Sequence, residues 1–448
     1  MISAALKRIP PSFWIVLSVA LAVRFWLWFS YPIFEGNDSD TYIHLANSLK
    51  NNLGFSRYNG TRTPGYPFFL VLTGAGSGTY LAQLVLGILT TLAIYWIGLR
   101  LTRSEGLALT GAYLHTLNLQ QLLAEAAMLS EALSAFLFFV LIALTLLITE
   151  TSSSQLAGNR TYFVILGFIA ILSVLLASVR PLFLPLPFCI AGVIFFLANE
   201  TLAKRTRTVI VLVVPMMIAV AGWGFYIYGQ FNVIGLDSMG GYHKVNHVSA
   251  IFEKAPDEYQ EIRDIFLKYR HIRISTTGTP INTIWDAIPE LMKATKLNYY
   301  SLGRTMGEIS DTLIRENPSL YWQNVVVGWI WFWKGGVVWQ PSAINDPIIR
   351  TLAIFILSVE RVGVVIGNFM FLVSTLMATW KQFILKKANY PTTFWVFISF
   401  LWLISILQTF AEHGDNPRFL APAQSLVFIT LIVLYSWRNN QQGTETRR

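Results

Sequence analysis

Two carboxylates stand two positions apart in Asn37-Asp38-Ser39-Asp40-Thr41-Tyr42, directly after the first long apolar run of the chain. Further on comes Arg62-Thr63-Pro64-Gly65-Tyr66-Pro67, a turn clamped by two prolines. A carboxylate at a membrane exit can take the proton of a hydroxyl as that hydroxyl attacks, which is what glycosyl transfer to an alcohol requires. Asp38 and Asp40 also both qualify as caps of the helix expected at 40–52, where a side-chain oxygen meets free backbone amides and the dipole favours negative charge. Spacing alone does not choose between the two aspartates or between the two roles.

Other ionisable groups lie where charge is expensive. Arg24 falls inside the first apolar run, Glu131 begins a later one, and Arg180 ends another in Ser178-Val179-Arg180-Pro181. Such groups face a cavity or a partner, or snorkel toward headgroups. Arg418 opens the last apolar run, after Glu412-His413-Gly414-Asp415-Asn416-Pro417. A guanidinium clamps a phosphate through paired hydrogen bonds. Arg57, Arg62, Arg180, Arg418 and Lys244 are therefore the candidate cationic pocket, with solvated loop charges as the alternative. Tyr42, Tyr66, Glu131 and His413 are candidates for the cavity beside it. His243 and His247 are four apart, but two histidines without a third ligand are weak grounds for a metal. A divalent ion stays open and none is required. No phosphate-binding glycine loop, dinucleotide fingerprint or zinc motif is present.

The elements that position these residues follow from composition. The 448 residues are 54% hydrophobic and 13% charged, with mean hydropathy +0.52, where a soluble chain is about a quarter charged. Apolar runs of spanning length recur, so the fold class is an all-α polytopic membrane protein. The first run is too long for a signal-peptide core and is read as retained. The lone Cys189 excludes an internal disulfide. The net charge of +9 marks topology rather than nucleic-acid binding. Its basic residues sit in short connectors: Lys7 and Arg8, Arg100 and Arg103, Lys204 to Arg207, Lys381 to Lys387, and Arg438 with Arg447 and Arg448. Such connectors mark the cytoplasmic side.

This rule gives about ten spans, at 12–34, 79–101, 106–124, 128–149, 161–180, 182–199, 208–228, 351–380, 392–410 and 418–437, with both termini inside. The alternation holds only if 321–340, crowded with Trp322, Trp329, Trp331, Trp333 and Trp339, is an interfacial or re-entrant helix. The chain then divides into a transmembrane module at 1–228 with its first external loop at 35–78, an external block at 229–350, and C-terminal spans at 351–448. Within the block, 256–271 reads as an amphipathic helix with Tyr259, Ile262, Phe266 and Tyr269 on one stripe. A second helix is expected at 303–316, and the apolar stretch 66–73 is expected along the interface.

Four places resemble GT-C type membrane glycosyltransferases, the bacterial group of aminoarabinose-lipid A transferase, protein O-mannosyltransferases and related lipopolysaccharide sugar transferases. Asp38-Ser39-Asp40-Thr41-Tyr42 is similar to the family's first-loop acidic motif, and Arg62-Thr63-Pro64-Gly65-Tyr66-Pro67 to its Pro-Gly-Tyr-Pro turn. Ser130-Glu131-Ala132-Leu133 and Val179-Arg180-Pro181 are similar to its central spans. Asn317-Pro318-Ser319-Leu320-Tyr321 and Pro417-Arg418-Phe419 are similar to its C-terminal half. Where the family often has Asp-Glu and Arg-Tyr pairs, this chain has Asp-Ser and Arg-Phe.

The resemblance implies an inverting transferase of the plasma (inner) membrane, with its site on the external or periplasmic face of the cell envelope. It implies a polyprenyl-phosphate sugar as donor and Asp38, or secondarily Asp40, as general base. Arginines such as Arg62, Arg180 or Arg418 would stabilise the leaving phosphate, and the external block would hold a glycan, lipid or protein acceptor. The other class that many spans and buried arginines fit is a transporter or flippase of a lipid-linked or anionic solute. Such proteins tend to carry two related halves, and the sequence shows no such pairing.

Overall fold

The computed structural model describes residues 10–51, 54–150, 158–198, 200–336, 339–388, 390–414 and 416–445. Lys7, Arg8, Arg447 and Arg448, counted above toward topology, lie outside them, as does Asp415.

The chain begins with α1 (Pro11–Ser30), the short α2 (Asn37–Asn51) and α3 (Gly65–Thr73), then the long α4 (Ser77–Thr102). Next come α5 (Glu105–Thr116), α6 (Leu119–Ala126), α7 (Glu131–Glu150) and α8 (Gly158–Val179). A 3₁₀ turn, Pro181–Phe183, leads into α9 (Leu186–Leu197), followed by α10 (Leu202–Phe231). Four polar-faced helices follow: α11 (Gly240–Val248), α12 (Gln260–Thr277), α13 (Thr283–Thr295) and α14 (Tyr299–Glu316). Then come α15 (Pro318–Phe332), α16 (Pro347–Thr379) and α17 (Thr392–Ala411), the one-turn α18 (Asn416–Phe419), and α19 (Gln424–Glu445).

Among the described residues eight helices are long and apolar enough to cross a membrane. Two of the expected spans take another form. The run 106–124 is broken, because Asn118 accepts from Gln121 N at 3.0 Å and so starts a new helix. Glu360 of α16 holds the same helix start, accepting from Leu119 N and Gln120 N at 2.8 and 3.3 Å. The run 182–199 opens as the 3₁₀ turn and continues only as α9, a shorter apolar helix.

Long-range contacts define the two ends of the bundle. Phe34 N bonds Ala126 O, and Met128 N bonds Phe34 O, both at 2.9 Å. That bridge ties the loop after α1 to the loop before α7. Opposite, Thr149 meets Thr393, Tyr390 stacks on Trp437 at 5.2 Å, and Ser436 reaches Thr102 O.

The segment α15 is too short to cross, since 15 residues make about 22 Å of helix against a hydrocarbon core of about 30 Å. It dips into the bundle: Trp329 bonds Ser405 Oγ at 3.0 Å and Trp333 stacks on Phe371. The chain then climbs back, and Gln340 N bonds Tyr31 Oη at 3.1 Å. The segment enters and leaves at one end, the re-entrant one of the two forms that the basic connectors left open.

The helices α11 to α14 close around a core of their own, with Tyr242, Phe252, Phe266, Ile284, Leu291, Met306 and Leu313 buried. Of the expected stripe, Ile262 and Phe266 are buried and Tyr259 and Tyr269 pack against that core. Gly241 of α11 lies against the backbone of Gly303 in α14, and a β-carbon there would collide with Gly303 O. This close crossing needs a glycine.

Candidate active site

The helix α2 sorts its own first turn. Successive residues advance by about 100°, so positions two apart point to nearly opposite sides. Ser39 is fully buried and its Oγ accepts from Gly36 N at 3.0 Å, so it holds the helix start. Asp38 then turns inward, 30% exposed, while Asp40 points to the surface. Asp38 and not Asp40 is the carboxylate the fold turns into the site.

Asp38 is held between two guanidiniums. Its Oδ1 accepts from Arg62 Nη2 at 2.8 Å and its Oδ2 from Arg418 Nη1 at 2.7 Å. Arg418 also donates through Nε to Glu131 Oε1 at 2.6 Å. Glu131 in turn lies 3.1 Å from Arg180 Nη1. This last contact is an ion pair off the line of a hydrogen bond: Arg180 Nη1 and Glu131 Oε2 are both buried and have no hydrogen-bond partner among the described residues. Three guanidiniums meet two carboxylates here, and Asp237 and Glu412 also act on Arg62 from nearby. Burial raises the Asp38 carboxyl, but Arg62 and Arg418 outweigh it and hold it at about 2. Asp38 is ionised at any physiological pH, and Tyr42 and then Asp38 raise Arg62 against its burial.

Local structure explains each placement. Arg62 is fixed by its backbone, since its carbonyl accepts from Tyr58 Oη at 3.0 Å, and its guanidinium lies 5.9 Å from the Tyr42 ring centre. Pro64 caps α3, and Gly65 packs against Ser178 and Val179, where a β-carbon would sit 2.6 Å from their backbone atoms. That contact draws the 62–67 turn against Arg180. Tyr66 is fully buried, and its Oη donates to Gln83 Oε1 at 2.8 Å. Gln83 Nε2 donates to Glu125 O and Ala127 O, both at 2.8 Å. The Pro-Gly-Tyr-Pro motif therefore fastens the turn to α4 and to the loop that bears Glu131.

Several expected site residues fall elsewhere. Arg57 is exposed and contacts Ser48 through its carbonyl. Lys244 is half exposed and paired with Asp311 at 2.8 Å. Neither joins the cluster, because each is on a solvated helix or loop face. Tyr66 is too enclosed to touch a substrate and acts as a strut. Tyr42 is 7% exposed, edge-on to Tyr66 at 4.8 Å, and borders the Arg62 guanidinium. Arg24 is satisfied within the bundle by Glu125, at 2.7 Å, and by Thr116.

His413 lies in a stack, 5.5 Å from Trp331 and 5.7 Å from His247, nearly parallel to both. Burial lowers both histidines, His247 to about 4, so the stack is uncharged at neutral pH. One helical turn before His247, His243 Nδ1 lies 3.2 Å from Glu412 Oε1. Burial lowers His243, but Glu412 overcomes this and lifts it to about 9. This pair was not singled out in the sequence; its signal was an acid directly after a span, with no partner in sight. Among the described residues no three His, Cys, Asp or Glu side chains gather as metal ligands.

Arg418 also lines a cleft of about 480 Å³ with Gln120, Trp331, Trp339, Leu357 and Arg361. A larger cavity, about 740 Å³, lies at the opposite end beside Arg100, Arg103 and Trp437, away from both carboxylates.

No family model and no curated protein matches the chain. Among solved structures it is similar to the archaeal oligosaccharyltransferase AglB from Archaeoglobus fulgidus in complex with an inhibitory peptide and a dolichol-phosphate. Identity there is 12% over 98% of this chain and 51% of that one, at TM-score 0.48. The apo form of the Archaeoglobus fulgidus oligosaccharyltransferase gives 12% over 97% and 52%, at 0.49. ArnT from Cupriavidus metallidurans bound to undecaprenyl phosphate gives 14% over 95% and 77%, at 0.39. The chain thus spans about half the length of the archaeal oligosaccharyltransferase to which it is similar.

Proposed function

We propose that this protein is an integral membrane glycosyltransferase that moves a sugar from a polyprenyl-phosphate donor to an acceptor hydroxyl at the outer face of the plasma membrane, with inversion. The observation that carries this reading is the Asp38 carboxylate gripped by Arg62 and Arg418 at the end of the spans. It puts a base and a phosphate clamp within one hydrogen bond of each other.

The acceptor oxygen attacks the anomeric carbon, and the bond from that carbon to the phosphate oxygen breaks. The bonding pair stays on the phosphate, where Arg62, Arg418 and Arg180 meet the growing charge. The hydroxyl proton passes to Asp38. A carboxylate near 2 is a weak base while both guanidiniums sit on it. A donor phosphate that draws Arg418 toward itself removes one of them, so Asp38 gains basicity when substrate is in place. Arg180, whose Nη1 is ion-paired with Glu131 off the line of a hydrogen bond, suits that exchange.

The test supplies radiolabelled polyprenyl-phosphate sugar and membrane acceptors to the purified protein. Asp38→Asn is expected to lower transfer by about 10³-fold or more, the scale of removing a general base together with a charge at the reacting centre. Asp40→Asn is expected to retain most of the rate. Label carried across vesicles with no transfer would replace this reading with a lipid-linked solute transporter.

A further inference from the structure

One cation of the bundle has no use in the chemistry above. Arg361 lies on α16, surrounded in sequence by apolar residues, is exposed, and pairs with no carboxylate among the described residues. Its neighbour Glu360 is committed to the Leu119 and Gln120 amides. An arginine on a lipid-facing helix is costly unless it reaches headgroups or a ligand.

The length of α16 fixes its depth. The apolar helical run extends over Pro347–Ile384, longer than a bilayer needs. Lys381, Lys386 and Lys387 mark one membrane surface. Counting back from Lys381 at 1.5 Å per residue, about 30 Å of helix ends at Arg361, which matches the hydrocarbon thickness. Arg361 is therefore at the far boundary, the depth at which a phosphate attached to a lipid chain resides.

There it shares the cleft with Arg418. The amide Nε2 of Gln120, in the same lining, is buried and donates to nothing among the described residues. Trp331 and Trp339 wall one side, and aromatic rings suit the interface. Opposite them Ile354 and Leu357 continue into the exposed lipid-side residues Leu352, Phe355 and Val359. Two guanidiniums and an amide face inward beside an apolar wall. Because Arg418 also holds Asp38, the cleft leads straight to the catalytic carboxylate.

We infer that this cleft takes a phosphate on a long isoprenoid chain out of the lipid phase, with Arg361 as the residue that captures the phosphate and hands it toward Arg418. The inference rests on the function proposed above, which it deepens by naming a donor-binding residue. It assigns Arg361 to binding rather than to the transfer step. Its loss therefore acts on donor KM more than on kcat.

The experiment uses the full-length protein in nanodiscs, titrated with polyprenyl monophosphate, with polyprenol lacking the phosphate, with inorganic phosphate, and with phosphatidylglycerol. Polyprenyl monophosphate is expected to bind, and each of the other three at least about tenfold more weakly. Arg361→Gln is expected to weaken polyprenyl monophosphate binding about tenfold, as for the loss of a charge-assisted contact. Arg361→Lys should restore part of it. Ser358→Trp, which fills the cleft from an exposed position one helical turn before Arg361, should weaken it with the Arg361 guanidinium still present. Equal binding of polyprenol, of inorganic phosphate or of phosphatidylglycerol overturns the inference. So does unchanged binding in Arg361→Gln, or in Ser358→Trp. Sugar transfer with an unchanged donor KM in Arg361→Gln overturns the inference and leaves the transferase standing. Arg361-dependent lipid binding with no transfer overturns the transferase and leaves the lipid site.

Discussion

Asp38 and Asp40 show where residue-level reading stops and geometry takes over. The pair stood out in the sequence, and the period of a helix already says that residues two apart diverge. Which of them turns inward depends on Ser39, whose Oγ fixes the helix start, and on arginines as distant as Arg418. No local pattern announces a partner from the last span. The same holds for His243, whose partner Glu412 follows α17. Burial lowers His243, Glu412 raises it more strongly, and the folded value is about 9, above the ordinary 6.5 or so. A raised value means that the pair's stabilisation is fully present below the unfolded value and is lost as pH rises through about 9. Thermal unfolding of the wild type between pH 7 and 10 should therefore show a loss on the order of 1–3 kcal/mol, the scale that follows from lifting the group from about 6.5 to about 9. His243→Gln should lower stability at pH 7 and flatten this alkaline decline. A decline of the same size in His243→Gln would assign the titration to another group.

At the scale of elements, run length found the long helices and missed their breaks. The run 106–124 is apolar enough to span, but Asn118 and Glu360 both satisfy amides at a new helix start. An asparagine inside an apolar run was the available signal; the glutamate that completes the break is remote in sequence. The 62–67 turn was legible as a motif, and its physical reason is now plain in Gly65, which rests on the backbone of Ser178 and Val179. Gly65→Ala would place a methyl 2.6 Å from those atoms, and backbone cannot move aside as a side-chain tip can. We expect a loss of about 1–3 kcal/mol for overpacking, read as a lower Tm. We also expect slower transfer, because the contact holds Arg62 against the Arg180 side of the cluster. A variant with wild-type Tm and rate would show that α3 and α8 are not tightly apposed.

For the whole molecule, the proposed function makes orientation decisive, since it requires a donor phosphate and an acceptor to meet Asp38 on the same side. The described residues of the connections after α1, α10 and α17 gather at the site end. Arg100 and Arg103, Lys204 to Arg207, Lys381 to Lys387, and Arg438 gather at the other. The 232–346 block has many basic residues of its own, but long segments translocate largely regardless of charge, and the short connectors set the direction. The site end is therefore expected outside. Cys189 is buried, so its replacement by alanine gives a background in which single cysteines report alone. Lys293 in α13 and Lys387 after α16 are both exposed, at opposite ends. In intact cells a membrane-impermeant maleimide should label Lys293→Cys and spare Lys387→Cys, and lysis should make both reactive. The reverse pattern would put Asp38 and the cleft of Arg361 on the cytoplasmic side, where an externally displayed donor sugar does not reach them.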